Sequence, residues 1–511
     1  MITKGKRKKE KGKRNAGGVV LSPCTFHLFP YRGSMLLQMV VYTSLAVAFL
    51  VGIIAWLGAS MRAARTVADR ELSFQIAEAG IDYYRWHLAH ARSDFTDGTN
   101  LPSPYIHRFK NAHGVEVGQF SLDIKAPEAG QTLVTVTSRG TVDNNPLIYR
   151  EIEAKFGIPS YSKYAVLAND TMRFGSATTI EGLVHSNDGV RFDGVAKNMV
   201  TSAKDSYSDP DHSGGKEYAV HTHAAPTDPL PVTPLPLRPD VFMAGREVAI
   251  PAVDFGSITN DLSDIKAAAE ADGKYLTASG AMGYHITLKT DKTFTLSKVT
   301  SLRTLATRVG TGCYTTENPL TPGWGSWTIT TEQYVGDYPF PANGVIFVED
   351  HLWIDGKINN AKLTVATGHF PQAPGQDRDM IVNNNLTYTN YDGRDVLGLI
   401  AQGNFTVGLE SADVLRIDGA IIAQGGKAGR YYYMPPDAKA RCSPYHVRSS
   451  LTLYGSLATN KRYGFAWTDG TGYSSVNIIY DGNLLYGAPP LFPLSADQYE
   501  TVSWEETTFS D

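Results

Sequence analysis

The sequence predicts a mainly β protein with a long N-terminal α-helix, a small antiparallel sheet beside that helix, and then an irregular β-solenoid. A β-sandwich is the competing arrangement for the last part. Three observations support this fold class. An uncharged stretch runs from Gly33 to Met61 and continues into an amphipathic segment. Runs of alternating polarity follow within 118–158, and short apolar-alternating runs separated by Gly, Asn and Asp fill the chain beyond Pro159.

The uncharged stretch is long enough to cross a membrane. A transmembrane helix needs roughly 20 mainly apolar residues, and Met35–Leu57 supplies them. Lipid offers no hydrogen bonds to the backbone, so a spanning segment must be helical. A buried core helix is the alternative, and it is disfavoured because no polar face interrupts the stretch. We expect a transmembrane helix over 34–61, preceded by a basic leader at 1–33.

Charges before the span predict its orientation. The first 14 residues hold eight lysines and arginines against one acid, Glu10, and Arg32 lies at the membrane edge. Positively charged flanks stay in the cytoplasm, so the N-terminus is predicted to be cytoplasmic and the bulk of the chain to lie at the cell surface. A basic run can instead bind nucleic acid. Its position before a span and the net charge of −4 argue against a nucleic-acid partner.

Small residues stand before the apolar stretch rather than after it. An ordinary secretory signal has a shorter apolar region followed by a small-residue cleavage site. Here Gly33 and Ser34 come first, which is the order of a prepilin-type signal. We expect cleavage between Gly33 and Ser34, with the helix retained on the mature protein. Glycine allows the extended backbone to approach a peptidase without a Cβ clash.

Two motifs flank the helix: Arg32–Leu37 (Arg-Gly-Ser-Met-Leu-Leu) and Ala77–Ile81 (Ala-Glu-Ala-Gly-Ile). Together with the uncharged helix, they resemble PilX-type type IV pilus assembly proteins, which are minor pilin-like. The resemblance covers about 32–92 and is looser over 115–160. It implies a structural role in pilus assembly, at the pilus tip or in adhesion. It also implies three partners: the membrane, a prepilin peptidase, and other pilin or pilus assembly subunits.

One position departs from the family pattern. Pilins usually carry Glu as the fifth residue after the cut, and this chain has Gln38. The family resemblance implies that this carboxylate neutralises the N-terminal amine of a neighbouring subunit. Gln38 can accept a hydrogen bond but carries no charge. We therefore expect an accessory, low-copy or simply membrane-anchored role rather than efficient packing into a long filament.

The region 62–158 is predicted to hold the rest of the helix and the small sheet. Strand patterns occur at 120–124, 133–137 and 149–156. On the helix, apolar residues recur at three- and four-residue spacing, which makes a wide apolar face. The first stripe is Leu72, Ile76, Ala79, Tyr83 and Trp86, and the second is Phe74, Ala77, Ile81, Tyr84 and Leu88. A generic α+β unit predicts the same contacts, so only the Gly-Ser signal separates the two interpretations.

The region 159–500 is predicted to form the solenoid. Short apolar runs such as Gly344–Glu349 and Val414–Gln424 are too short to build a core alone. Stacked as parallel coils, they would bury Val, Ile and Leu and turn at Asp-Gly and Asn-Gly corners. The repeats have no fixed period.

An insertion is expected at about 206–275. It contains a Pro-rich stretch beginning at Pro226, which should be extended, and then a capped helical pattern over 257–271. At the other end of the chain, the acidic segment 501–511 is predicted to be a frayed tail.

Catalytic motifs are absent from the sequence, which contains no G-x-S-x-G, Walker loop, H-E-x-x-H or Cys-x-x-Cys. We predict no catalytic residues, no cofactor and no enzymatic activity. The alternative is a surface-anchored β-helix carbohydrate-active enzyme, in which Asp350, Asp355 and Asp418 would be candidate paired carboxylates. Turn-forming aspartates explain these positions at least as well. Surface glycans are a further candidate partner.

One polar segment holds residue types that bind metals. Its candidates are His212, His221 and His223, together with Asp205, Asp209 and Asp211. The composition of the segment is typical of a polar loop, so we predict that it binds no metal.

Three cysteines occur, Cys24, Cys313 and Cys442. Cleavage of the leader would remove Cys24 and leave a pair on the outer side of the membrane, where disulfides persist. A disulfide between Cys313 and Cys442 is one interpretation. Two unrelated buried thiols are the other.

Overall fold

A computed structural model describes the chain over 35–507, with gaps at 128–131, 232, 257, 318–323, 437–440, 486 and 497. It divides into two compact units, Met1–Ala68 and Asp69–Asp511. The predicted leader, the Gly33–Ser34 cleavage site and Cys24 lie outside the described residues.

The described elements are two α-helices and thirty strands. The first group is α1 Met35–His90, β1 Tyr105–Lys110, β2 Glu116–Lys125, β3 Val134–Val142 and β4 Asn145–Gly157. The second group is β5 Tyr164–Ala168, β6 Met172–Phe174, β7 Thr179–Ile180, β8 Leu183–Ser186, β9 Val190–Phe192, β10 Val195–Ala196, β11 Val200–Ser202, β12 Ser206–Tyr207, β13 Glu217–Tyr218, β14 Val220–His221 and β15 Arg246–Glu247. The third group is α2 Ile258–Ala271, β16 Lys274–Leu276, β17 Gly283–Leu288, β18 Thr293–Leu302, β19 Ile329–Pro339, β20 Val345–Val348, β21 Leu352–Ile358, β22 Lys362–Thr367, β23 Met380–Ile381, β24 Leu386–Tyr388, β25 Val396–Ala401, β26 Phe405–Val407, β27 Val414–Arg430, β28 Val447–Gly464, β29 Gly472–Tyr480 and β30 Glu500–Glu506.

The part of α1 in the first unit is apolar and exposed. Its most apolar 18-residue window has a mean hydropathy of 2.3, and none of that window is buried. Within the described part of the chain, α1 is the one helix that is long and apolar enough to cross a membrane, judged by length and composition. An exposed surface of this kind is unfavourable in water and favourable in lipid.

The second unit begins with the end of α1 packed on an antiparallel sheet. The buried residues of the helix are Ser73, Ile76, Ala77, Gly80, Ile81, Tyr84 and Leu88. The sheet runs in the order β1, β2, β3, β4, β30, and its apolar face includes Phe120, Leu122, Val136 and Ile152. The long helix and small antiparallel sheet of the predicted fold class are thus confirmed. Trp86, placed in the predicted apolar face, is instead 60% exposed, and its ring centroid lies 4.4 Å from that of His90 on the same helix.

Glycines allow the helix to approach the sheet closely. A Cβ added to Gly140 of β3 would clash with the carbonyl oxygen of Ser73 and the backbone nitrogen of Ala77. A Cβ on Gly80 of α1 would clash with the hydroxyl of Ser138. The contact therefore depends on the absence of side chains at Gly140 and at Gly80.

The C-terminal acidic segment is not simply a tail. Strand β30 pairs antiparallel with β4, with Trp504 opposite Ala154. The Trp504 ring meets Phe74 of α1 edge to face at 5.9 Å, and Glu506 forms an ion pair with Arg150. The aromatic contact and the ion pair hold this strand on the sheet. The sequence did not indicate a strand here, because its many acidic residues are typical of an exposed tail.

Beyond β4 the main pairing is parallel. One continuous series of parallel pairs runs β16, β20, β22, β25, β27, β28, β5, β8, β11, β15. Parallel pairing of successive short strands is expected of stacked coils, whereas a β-sandwich is built from antiparallel sheets. The chain enters this series in the middle, where Val166 of β5 lies opposite Leu457 of β28.

The strands of this series are apolar on both faces. In β25, Leu397 and Leu399 point into one core cluster, while Val396 and Ile400 belong to another. Helix α2 covers the second cluster through Leu262, Ile265 and Ala269. This burial on two sides differs from the alternation expected from the sequence, because strands covered on both faces carry apolar residues at successive positions. The predicted helix over 257–271 is confirmed within one residue.

A third apolar cluster lies around the disulfide. Cys313 and Cys442 are bonded, with their Cα atoms 4.5 Å apart. They pack with Trp327, Trp353 and Tyr433. The bond joins two loops that are 129 residues apart in the sequence.

Candidate functional site

The structure places the sequence-predicted site residues in separate regions. Gln38 lies on the first turn of α1, in its exposed apolar part. Gly33 and Ser34 are outside the described residues, and the bonded pair Cys313–Cys442 lies in the β-rich region.

The three candidate carboxylates are each held by their own partners. Asp350 is hydrogen-bonded to Ser279 and to the backbone of His351. Asp355 is hydrogen-bonded to His285, Thr287 and Asn384. Asp418 is hydrogen-bonded to Tyr388, Tyr391 and Arg416. Burial raises the pKa of Asp418. Among the described contacts, none joins two of these carboxylates, so each is explained by local hydrogen bonding.

A different group of side chains converges in the predicted insertion. Asp209, Glu217, His221 and His223 each offer one oxygen or nitrogen atom, and the four atoms all lie within 4.8 Å of one another. The side chains of Asp209 and His221 are 2% exposed, that of Glu217 is 8% exposed and that of His223 is 16% exposed. This constellation is the candidate metal cluster of the described chain.

Strand geometry explains the convergence. Glu217, His221 and His223 are separated by even numbers of residues, so an extended chain turns them to the same side. Strand β12 pairs antiparallel with β13 and sets Tyr207 opposite Glu217, two residues before Asp209. Strand β14 pairs in parallel with β9, which pairs in turn with β6. The four side chains therefore come from a hairpin and from the strand that follows it.

Short distances link these atoms. Nε2 of His221 lies 2.6 Å from Oε2 of Glu217 and 3.6 Å from Oδ2 of Asp209. Nε2 of His223 lies 2.9 Å from Oε1 of Glu217. The other ring nitrogen of His221, Nδ1, donates to the carbonyl oxygen of Tyr218 at 3.1 Å. Burial lowers the pKa of His221.

Several buried atoms of the cluster have no hydrogen-bond partner. They are Oδ2 of Asp209, Oε2 of Glu217 and Nε2 of His221. Buried polar atoms are nearly always hydrogen-bonded in proteins, and an unpaired one needs an explanation. The nearest cation is Arg191, whose Nη1 lies 3.5 Å from Oδ2 of Asp209.

The observed cluster differs from the set considered in the sequence. Of that set, the structure brings together Asp209, His221 and His223. His212 is exposed and lies outside the cluster, with its Nδ1 3.0 Å from Oε1 of Glu217. Asp211 instead pairs with Arg462, and Asp205 accepts a hydrogen bond from Ser206. Glu217 was missed, although its even spacing from the two histidines was a readable signal. The segment is thus not an ordinary polar loop, because its polar side chains are buried together.

Comparisons with known proteins give little information about this chain. No family model matches it, and no curated protein matches it. Among solved structures, it is similar to the crystal structure of the competence-associated pilin ComZ from Thermus thermophilus, with 13% sequence identity and a TM-score of 0.29. That match covers 86% of this chain and 98% of the ComZ chain. A similarity at this level carries no argument about function.

Proposed function

We propose that this chain is a membrane-anchored, pilin-like surface protein with a structural role in pilus assembly, at the pilus tip or in adhesion. The observation that carries the proposal is the division of α1. Its first part is apolar and exposed, and its last part is buried on a small antiparallel sheet. A helix of this kind can hold its C-terminal half on a folded domain while its N-terminal half lies in lipid.

The sequence motifs supply the finer part of the proposal. The basic leader orients the N-terminus to the cytoplasm, and a prepilin peptidase cuts between Gly33 and Ser34. Partners are the membrane and other pilin or pilus assembly subunits, with surface glycans as a further partner class. Because Gln38 has no charge to pair with a neighbouring amine, the protein is an accessory or low-copy subunit.

A structural rather than catalytic role is supported by the candidate carboxylates. A glycosidase needs one carboxyl group free to donate a proton and a second one facing it across the scissile bond. Asp355 accepts hydrogen bonds from Thr287 and Asn384, and Asp418 accepts them from Tyr388 and Tyr391. These bonds give both carboxylates a structural task, because each joins neighbouring segments of the β-rich region.

Arginine substitutions in the exposed apolar part of α1 test the membrane anchor. Val47 and Leu50 are 58% and 57% exposed, so replacing them leaves packing contacts untouched. Each arginine at the centre of a membrane helix makes the free energy of insertion less favourable by about 2.5–3.5 kcal/mol. Each apolar residue makes it more favourable by only about 0.3–0.6 kcal/mol. The double variant Val47→Arg, Leu50→Arg should leave the carbonate-washed membrane fraction.

The matched control is Ala63→Arg, Val67→Arg on the same helix. Val67 is also exposed, at 66%, but it lies beyond the uncharged stretch and close to Arg62 and Arg65. The control should stay with the membrane as the wild type does. Equal membrane retention of both double variants would contradict an anchor in the first part of α1.

A further inference from the structure

We propose that Asp209, Glu217, His221 and His223 form a binding site for one divalent transition-metal ion, for which Zn²⁺ is the best-suited occupant. The site lies in the β-rich region and does not depend on the proposed membrane role. It would use two imidazole nitrogens and two carboxylate oxygens. This donor set is closed, with four protein ligands and little exposure to solvent, as in structural rather than catalytic zinc sites.

The hydrogen bonding of His221 shows that a cation is needed. Because a carbonyl oxygen can only accept, the bond to Tyr218 fixes the hydrogen on Nδ1 of His221. That leaves the lone pair of Nε2 facing carboxylate oxygens of Glu217 and Asp209. Lone pairs that face each other in a buried site repel and are costly unless a cation lies between them. Metal-bound histidines commonly show this same second hydrogen bond to a backbone carbonyl.

A protonated His221 is the competing explanation. An imidazolium would donate from Nε2 to Oε2 of Glu217, and such charged bonds are short and straight. The two atoms are 2.6 Å apart, yet neither makes a hydrogen bond. A third unpaired atom, Oδ2 of Asp209, lies 3.6 Å from Nε2 of His221. One cation bound among the three atoms would satisfy all of them.

Distances and donor types select the kind of metal. Zinc bonds to nitrogen and oxygen of about 2.0–2.1 Å place tetrahedral ligands roughly 3.3 Å apart. The separations within the cluster are 2.6, 2.9 and 3.6 Å, so zinc binding requires Nε2 of His221 and Oε2 of Glu217 to move apart by several tenths of an ångström. Calcium and magnesium take oxygen ligands, whereas imidazole suits zinc and other late transition metals. The two histidines therefore favour Zn²⁺ over the hard cations.

A bound ion would cross-link the insertion. Asp209 follows β12, Glu217 begins β13, and His221 ends β14, which pairs with β9 in the three-stranded parallel sheet β14, β9, β6. One ion would thus tie the β12–β13 hairpin to that sheet. Binding to the folded chain alone stabilises it by mass action.

The test uses the full-length chain in detergent after removal of bound metal with a chelator. Cobalt(II) is the probe, because a tetrahedral nitrogen–oxygen site gives it visible absorption, and Zn²⁺ is then added to displace it. We expect one equivalent of Co²⁺ to produce the band and one equivalent of Zn²⁺ to abolish it. Glu217→Gln and His223→Gln should each weaken Co²⁺ binding at least tenfold.

The matched control is His285→Gln. His285 also lies between two carboxylates, Glu332 at 2.8 Å and Asp355 at 3.1 Å, but no second histidine joins them. This variant should bind Co²⁺ as the wild type does. The wild-type spectrum decides the question even if a variant misfolds. Absence of the band in the wild type, or equal affinity of wild type and Glu217→Gln, would overturn the metal site and leave a protonated His221.

Discussion

Replacing Gly140 by alanine perturbs the contact between α1 and the antiparallel sheet. The new Cβ would collide with the carbonyl oxygen of Ser73 and with the backbone nitrogen of Ala77. These are backbone atoms of a helix, so they cannot turn away as the end of a flexible side chain could. The helix must instead move off the sheet and open part of the buried cluster around Ile76 and Tyr84.

The size of the effect follows from this geometry. Overpacking a well-filled core costs typically 1–3 kcal/mol, and the rigid neighbours of Gly140 place this substitution near the upper end. A loss of about 3 kcal/mol corresponds to roughly a hundredfold increase in local opening, because each 1.4 kcal/mol is a factor of ten.

Hydrogen exchange measured by mass spectrometry on peptides covering 72–88 reports this opening. Gly464→Ala is the matched control, since Gly464 also lies in a strand but a Cβ there meets no atom within 4 Å. The control should exchange as the wild type does. Wild-type exchange of the helix peptides in Gly140→Ala would refute the close helix–sheet contact.

Three further predictions concern other parts of the chain. Reduction, or Cys313→Ser with Cys442→Ser, should lower the melting temperature, since a loop of 129 residues is worth roughly 4–5 kcal/mol in the chain-entropy model; an unchanged melting curve would contradict this. Burial lowers the pKa of His351 to about 4, so the unfolded chain takes up this proton before the folded one does as the pH falls. The free energy of unfolding should therefore fall by about 3 kcal/mol between pH 6.5 and 4. In urea titrations, the free energy of unfolding of His351→Leu should depend less on pH than that of the wild type. Gln38→Glu should raise the amount of the protein in sheared pili if the missing charge limits packing; equal amounts would disprove that reason.

Periodicity in the sequence predicted the elements that depend on one repeated pattern. The uncharged stretch and the helical stripe through Ile76 and Tyr84 predicted α1, and alternation predicted β2, β3 and β4. The short runs beyond Pro159 predicted strands, and in β25 the residues of such a run are buried on both faces. Such elements are predictable because burial of one face requires apolar residues at a regular spacing in the sequence.

Long-range pairings were not predictable in the same way. Strand β30 joins β4 across more than three hundred residues, and β28 meets β5 in the middle of the stack. Neither pairing leaves a periodic signal, since each is fixed by side chains far apart in the sequence. Glu217 was missed as a member of the candidate metal cluster for a related reason. Sequence proximity suggested Asp205 and Asp211, while strand pairing decided which carboxylates face the histidines.

The mass of the mature N-terminus decides whether this chain is a pilin-like protein anchored by α1. The chain should be isolated from cells with active prepilin peptidase and digested, and its N-terminal peptide identified by mass spectrometry. We expect a mature protein that begins at Ser34 and keeps the apolar helix from Met35. A protein that retains Met1, or one cut after the apolar stretch beyond Met61, would contradict it.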